Sequence, residues 1–388
     1  MNSCVKRSIL FLSLSFLCLQ VIYGQKLYFP DSVWQTRTPQ QLKLDAALID
    51  SAVRFAINNE VNMDYDMRLA NIKAFGVNAR EPNYKIIGPM KDRGKPAGLI
   101  IKNGFIVAQW GDVDRMDMTF SVAKSYLSTV AGLAEDARLI RSLDDKVSQY
   151  VWDETFEGAH NQKITWRHML HQSSDWSGCL FDICDWADRP PRTGSIDEWR
   201  ARKLNEPGTV YKYNDVRINA LAYALLQVWR KPLPMVLKEK IMDPIGASST
   251  WRWYGYENSF VNVDGLMMQS VSGGGHFGGG IFINTLDQAR FGLLFARRGK
   301  WQEKQLLSER WVNGVTETTA ANKTYGMLWW TNEDGHLGKL SKTVYAAEGF
   351  GGNFIVIDSK NDLVIVTRWL EPRMIGQLVD LVESAVGK

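Results

Sequence analysis

A serine stands three residues before a lysine in the run Thr119-Phe120-Ser121-Val122-Ala123-Lys124-Ser125-Tyr126-Leu127. If this run opens an apolar helix, positions i and i+3 share a face and the Lys124 amine comes within reach of the Ser121 hydroxyl. A serine hydroxyl is a weak nucleophile until a neighbouring base removes its proton. A lysine becomes that base when burial and the positive end of a helix dipole keep its amine neutral. The pair is therefore a candidate for acyl transfer. The same spacing recurs at Ser3-Cys4-Val5-Lys6, so the tetrapeptide alone also fits an ordinary core helix with Ser121 in its first turn.

The elements that must position this pair are legible in part. Ala97–Lys102 and Phe105–Trp110 are strand-like runs around Asn103-Gly104, a hairpin signal. The Ser121 helix is expected to run to about Glu135. Residues 136–250 read as helical and loop-rich, and Gly273–Gly280 as a glycine-rich turn before a short strand and the helix Leu286–Arg297. Gly352–Asp358 and Leu363–Trp369 read as paired strands around Lys360-Asn361-Asp362, and Ile375–Val386 has apolar residues at helical spacing. Residues 25–95 carry the least pattern. The fold class expected is α+β: an antiparallel sheet from both chain ends flanked by helices (about 25–135 and 280–388), with an inserted mostly helical region (about 136–279).

The chain has 388 residues, 45% hydrophobic and 23% charged, with a net charge of +4. Residues 1–24 read as a signal peptide: Lys6 and Arg7 precede a mostly apolar stretch ending near Gly24. Removing those two charges leaves +2, which points to neither nucleic acid nor a membrane surface as partner. The mature chain, 25–388, is expected to be exported to the periplasm or secreted, without stable membrane association. Its two remaining cysteines, Cys179 and Cys184, either form a short disulfide in an oxidising compartment or stay as buried thiols. No metal-ligand spacing accompanies them, and no cofactor is expected.

Further segments extend the pattern. Ile164-Thr165-Trp166-Arg167-His168-Met169-Leu170-His171-Gln172-Ser173-Ser174, Pro207-Gly208-Thr209-Val210-Tyr211-Lys212-Tyr213-Asn214-Asp215, Met242-Asp243-Pro244-Ile245-Gly246, Gly278-Gly279-Gly280-Ile281 with Asp287-Gln288-Ala289-Arg290-Phe291-Gly292, and Glu348-Gly349-Phe350-Gly351-Gly352-Asn353 follow Ser121 in order. From about Gly98 to Trp369 the chain thereby resembles the serine β-lactamase and penicillin-binding-protein-like superfamily. It is closest in flavour to the class C β-lactamase-related hydrolases, which include esterases, D-amino-acid peptidases and nylon-oligomer hydrolases.

The resemblance implies Ser121 as acylated nucleophile, Lys124 as its base partner and Tyr213 as the phenol that relays the proton. The backbone N–H groups of Ser121 and Phe350 would hold the oxyanion. Tyr256-Glu257-Asn258 is a competing Tyr-x-Asn match, but Tyr213 has the better place among the motifs. Two departures stand out. Asp215 occupies the usual Asn position and cannot donate an amide hydrogen bond to a substrate carbonyl; it could orient Lys124 or bind a substrate amine. Ala347 occupies the place of the usual Lys or His, with Glu348 after it, so the cation for a β-lactam or peptide carboxylate is missing unless Arg368 or Arg217 supplies it.

Further substrate-contact candidates are Glu348, Gly349, His276 in its glycine run, and Trp176, with Trp186 beside it. The expected function is an ester or small-amide hydrolase acting on a small molecule. The rival readings are a ligand-binding or sensor protein on the same scaffold, or a β-lactamase or D-amino-acid peptidase.

Overall fold

The computed structural model describes residues 27–79, 81–82 and 84–386. The expected signal peptide lies outside them. Helix α1 (Ala46–Asn58) begins where the Asp45 carboxylate accepts from Ala47 and Leu48 N–H, and it buries Ile49, Ala52 and Ala56 on one face. Strands β1 (Ala97–Lys102) and β2 (Phe105–Trp110) form the expected hairpin. Asn103 and Gly104 both take positive φ, 52° and 83°, as its tight turn requires. After the short β3 (Asp117–Met118), one 3₁₀ turn (Phe120–Val122) leads into α2 (Ala123–Asp136). Residues 123–134 of α2 are all buried, so this is a central helix rather than an amphipathic surface one.

Helix α3 (Asp215–Trp229) starts at Asn214, whose side chain accepts from Arg217 N–H. Strands β4 (Arg252–Val263) and β5 (Leu266–Val271) form a long hairpin, and β6 (Gly280–Ile283) precedes α4 (Thr285–Ala296). The region expected to be mostly helical therefore contains a β-hairpin. Trp253, Tyr256 and Val263 are buried in it while Arg252 and Tyr254 face out. Near the end come β7 (Trp330–Thr331), β8 (Tyr345–Gly349), β9 (Asn353–Asp358), β10 (Leu363–Arg368) and α5 (Ile375–Ala385).

The main sheet is antiparallel, in the order β7-β8-β9-β10-β1-β2, so both chain ends contribute to it. Its two faces follow the period-2 rule. Ile100, Ala346, Phe354, Val356 and Ile365 pack with Ile49, Leu378 and Val382 of α1 and α5. Leu99, Ala347, Ile355, Ile357 and Val364 face the other way, into the core that holds α2 and α4. A second sheet, β3-β6-β4-β5, supports the lead into Ser121, where Thr119 N–H donates to the Ile281 carbonyl at 2.9 Å. Among the described residues no helix is long and apolar enough to cross a membrane.

Gly349 ends β8 against the turn that carries Ser121. A Cβ there would sit far inside contact with the Thr119 carbonyl oxygen. Gly349→Ala should therefore cost about 1–3 kcal/mol of stability, read by urea denaturation. A variant as stable as the wild type would show that β8 can withdraw from this turn.

Candidate active site

Ser121 stands in the single 3₁₀ turn before α2, and Phe120 before it adopts φ 49°. A bulky residue in the left-handed region carries about 1–3 kcal/mol of strain. Phe120 is held there by burial, and its carbonyl lies against Gly274, where no Cβ would fit. This bend turns the Ser121 hydroxyl outward while Lys124, one helical turn on, points into the protein.

Lys124 is 1% exposed. Its Nζ donates to Ser121 Oγ at 2.8 Å and to the Gly273 carbonyl at 3.2 Å. It also pairs with Asp215 Oδ1 at 2.6 Å. Burial pulls the ammonium pKa down, but the Asp215 carboxylate outweighs burial and the net direction is up. Lys124 therefore rests as an ammonium, not as the neutral amine that a Ser–Lys pair on its own would need.

Asp215 is the hub. Its Oδ2 faces His276 Nδ1 at 2.8 Å and Arg189 Nη1 at 2.9 Å, and its backbone N–H donates to Asp188. It opens α3, where the helix dipole favours a carboxylate. Burial alone would raise its pKa; Arg189, Lys124 and His276 together hold it well below the usual range. On the far side, His276 Nε2 meets Glu81 Oε2 at 2.5 Å. Burial pulls the imidazolium down, while the bonds to Asp215 and Glu81 raise it above its ordinary value. Three cations, Lys124, Arg189 and His276, thus face three carboxylates, Asp215, Asp188 and Glu81. Glu81, Asp188 and His276 present atoms within 4.8 Å of one another. The positive charge for these acids is already supplied by Arg189, and Nε2 is already used by Glu81.

Tyr213 is half-buried at the edge of this cluster. Its ring lies 4.9 Å from Lys124 Nζ and 5.1 Å from the Arg189 guanidinium, and it stacks on Trp330. Phe350 follows Gly349 beside the nucleophile turn: its ring meets Phe120 edge-on at 5.3 Å and Phe75 at 5.2 Å. The structure thus brings Ser121, Lys124, Tyr213, Gly349 and Phe350 into one neighbourhood.

Other expected contacts are not available to a substrate. Asp215 and His276 are buried in the ion cluster. Trp176 is a core residue whose indole donates to the Thr155 carbonyl at 2.7 Å. Glu348 is tied to His336 at 2.7 Å. That bond and Asp334 outweigh the burial of His336 and lift its pKa to about 9. Arg217 is spent on Asp175 and Asp185, and buried Arg368 on the Met118 and Ile283 carbonyls and Asn353. Neither can replace the missing third-motif cation. Tyr256, of the competing motif, receives a bond from Asn219, which also holds Gly273 N–H; it buttresses the loop under Lys124. A disulfide joins Cys179 and Cys184 in a small hairpin. A cavity of about 930 Å³ lined by Tyr28, Phe29 and Arg297 shares no residue with the Ser121 group.

Glu81, Asp188 and Arg189 escape a reading of the sequence. Glu81 is 195 positions from His276, and no spacing rule joins them.

A family model described as Beta-lactamase matches residues 100–368. Among solved structures, the chain is similar to a family VIII carboxylesterase at 16% identity and a TM-score of 0.55, over 84% of this chain and 99% of that one. It is similar to EstCE1, described as a hydrolase with promiscuous acyltransferase activity, at 16% identity and a TM-score of 0.54, over 83% and 99%. A penicillin-binding protein homologue from Caulobacter crescentus gives 14% identity and a TM-score of 0.54, over 84% and 99%. At such identities the likeness is one of fold. No curated protein matches the sequence.

Replacing Asp215 by Asn leaves the buried Lys124 ammonium without its carboxylate and should cost about 3–5 kcal/mol at pH 7. A depressed carboxyl stabilises above its unfolded value, about 3.9, and that contribution fades as pH falls toward the lower folded value. In urea denaturation, the gap between wild type and Asp215→Asn should therefore narrow below about pH 4. A gap that stays constant to pH 2 would show that Asp215 is not held ionised by this pairing.

Proposed function

The chain belongs to the β-lactamase family of serine hydrolases, and we propose that it is an exported ester or small-amide hydrolase working through an acyl-enzyme on Ser121. The observation that carries this reading is Lys124 Nζ, buried and 2.8 Å from Ser121 Oγ, with its second partner in Asp215.

Ser121 Oγ bonds to the substrate carbonyl carbon as its proton enters the Lys124–Asp215 pair. Because Lys124 rests protonated, it accepts that proton only as it passes one of its own to Asp215. Backbone N–H groups of Ser121 and Phe350 hold the oxyanion. The tetrahedral species then breaks the bond to the leaving group, Tyr213 gives its phenolic proton to the departing alkoxide or amine, and the Lys124–Asp215 pair restores that proton to Tyr213. Water attacks the acyl-enzyme with the same groups acting in reverse, giving the acid and free Ser121. No metal or organic cofactor enters these steps.

The substrate class follows from charge. Ala347 is buried and carries no cation, and Arg217 and Arg368 are occupied. A β-lactam or peptide carboxylate has no evident partner, which favours neutral esters and amides. The names of the carboxylesterase and EstCE1 structures point the same way. Export is supported by the basic-then-apolar residues 1–24 and by the Cys179–Cys184 disulfide, a bond of oxidising compartments. The resting ammonium on Lys124 also lends weight to a second reading, a protein that binds or acylates without turnover.

The test mixes the mature protein with a p-nitrophenyl ester and with nitrocefin, following absorbance and intact mass. Ester turnover with an acyl adduct is expected. Ser121→Ala should lose the adduct and at least about 10³-fold in kcat, and Tyr213→Phe about 10²–10⁴-fold. Nitrocefin cleaved as fast as the ester would overturn the substrate class, and an adduct that forms but never clears would establish the binding protein.

A further inference from the structure

The Ser121 group does not end at Asp215. Four contacts run in series: Ser121 Oγ to Lys124 Nζ at 2.8 Å, Lys124 to Asp215 at 2.6 Å, Asp215 to His276 at 2.8 Å, and His276 to Glu81 at 2.5 Å. The first four residues lie within the family-matched span, 100–368, and Glu81 lies before it. It arrives on a strap that leaves the wide helical turn Ile72–Asn78 and runs along the glycine loop beneath Lys124. We propose that Glu81 is a positioning residue of the active site, which acts through His276 on Asp215 and so fixes the orientation and proton occupancy of Lys124. The inference rests on the acyl-enzyme reading and deepens it.

The imidazole has no freedom to do otherwise. Phe75 stacks on it at 4.2 Å, and Phe277 lies 4.2 Å from it. The Tyr84 hydroxyl donates to the His276 carbonyl at 2.7 Å, and Ile87 and Gly88 N–H donate to the Phe277 carbonyl. Gly275 has no Cβ, which would otherwise meet the Asp215 side chain. The charged and titratable groups facing the ring are Asp215 from α3, Glu81 and the Tyr84 ring from the strap, and Asp188 (3.8 Å) with Arg189 from the preceding loop. Glu81 is itself 5% exposed, and its other oxygen accepts from the Arg189 backbone N–H at 3.2 Å. It thereby holds the His276 ring directly and the main chain that carries Arg189.

The consequence is electrostatic. A protonated His276 beside Asp215 makes that carboxylate a poorer proton acceptor, and a carboxylate behind His276 offsets this charge. Glu81 keeps the imidazole charged, with both ring N–H groups donating, while limiting how far its charge quenches Asp215. Without Glu81 the ring loses its proton at lower pH, the neutral imidazole still donates from Nδ1 to Asp215 but is no longer anchored at Nε2, and the ammonium of Lys124 shifts with Asp215 relative to Ser121. A shift of about 1 Å at such a point costs on the order of 10²-fold in rate.

The experiment compares the mature wild type with Glu81→Gln and Glu81→Asp, measuring kcat and KM for a p-nitrophenyl ester from pH 5 to 10, Ser121 acylation by intact mass, and the thermal midpoint. In Glu81→Gln, kcat should fall about 10- to 100-fold at pH 8 with KM changed less than about threefold. A limb of the kcat profile should move down by at least about one pH unit. Glu81→Asp, which keeps the charge, should recover most of the wild-type profile.

If wild type acylates Ser121 and Glu81→Gln has the same kcat and the same profile, the positioning role is overturned while the acyl-enzyme reading stands. If Glu81→Gln loses activity equally at every pH, with the profile unmoved and the thermal midpoint lowered, Glu81 is only a staple for its strap and the proposal falls. A wild type that neither acylates nor turns over would overturn both readings.

Discussion

The ion pair between Lys124 and Asp215 is the constraint around which the rest of the structure is arranged. Each ion taken out of water costs several kcal/mol after relaxation, and one partner alone cannot repay it. The protein meets the cost by collecting further partners rather than by exposing the pair. Asp215 sits at the start of α3, Arg189 comes from the loop before it, and His276 comes from the glycine run between β5 and β6. Glu81 and Asp188 close the outer side. Five stretches of chain, around Glu81, Lys124, Asp188–Arg189, Asp215 and His276, must come together before the whole cluster is satisfied, so the site and the tertiary structure form together.

This arrangement changes what a Ser–Lys pair does. With an amide at position 215, Lys124 would lose its ion-pair partner, and desolvation, the helix dipole and the nearby Arg189 all favour the neutral amine. With a carboxylate there, the resting state moves to the ammonium. In the proposed acyl-enzyme reaction the serine proton would then enter a hydrogen-bonded circuit instead of settling on a waiting base. The half-buried Tyr213, its ring 4.9–5.1 Å from two cations at the cluster's edge, is the proposed proton donor beside that circuit. Such a design depends on the exact relation of three or four polar groups, which accounts for the aromatic packing of Phe75 and Phe277 around His276.

Much of this was legible from local signals. The Asn103-Gly104 turn, the Ser121 helix and the strands around Lys360-Asn361-Asp362 are specified by residues within a few positions of one another, and the structure has all three. The β4–β5 hairpin carries a comparable signal in Asp264-Gly265, both at positive φ. It was hidden because Trp251–Tyr256 is aromatic on both faces and the pairing register shifts between Gly255 and Phe260. At the site, Ser121, Lys124 and Tyr213 could be read because type and spacing suffice. Glu81 could not, because it meets His276 only through the tertiary fold. Trp176 was misread for the opposite reason: an aromatic near a candidate loop looks like a cleft wall until burial shows it to be core.

The far end of the site carries the argument on selectivity. In β8, Ala347 turns into the core beneath the sheet, while Glu348 on the other face is half-buried. A cation at position 347 would have to be buried beside its cross-strand partner Ile355 on the core face of the sheet, so packing alone disfavours one there. The positive charge on this side comes from His336, but Glu348 and Asp334 each hold it at 2.7 Å. Two carboxylates around one imidazolium leave the locality net negative. An approaching anion would be repelled unless it displaced Glu348, which would leave that carboxylate buried without a partner. The side wall built by Tyr213 and Trp330 is aromatic, and 6.0 Å separates the stacked rings. Charge and surface together are the ground for the proposed preference for a neutral, apolar acyl group, which would arise by excluding anions rather than by offering a specific contact.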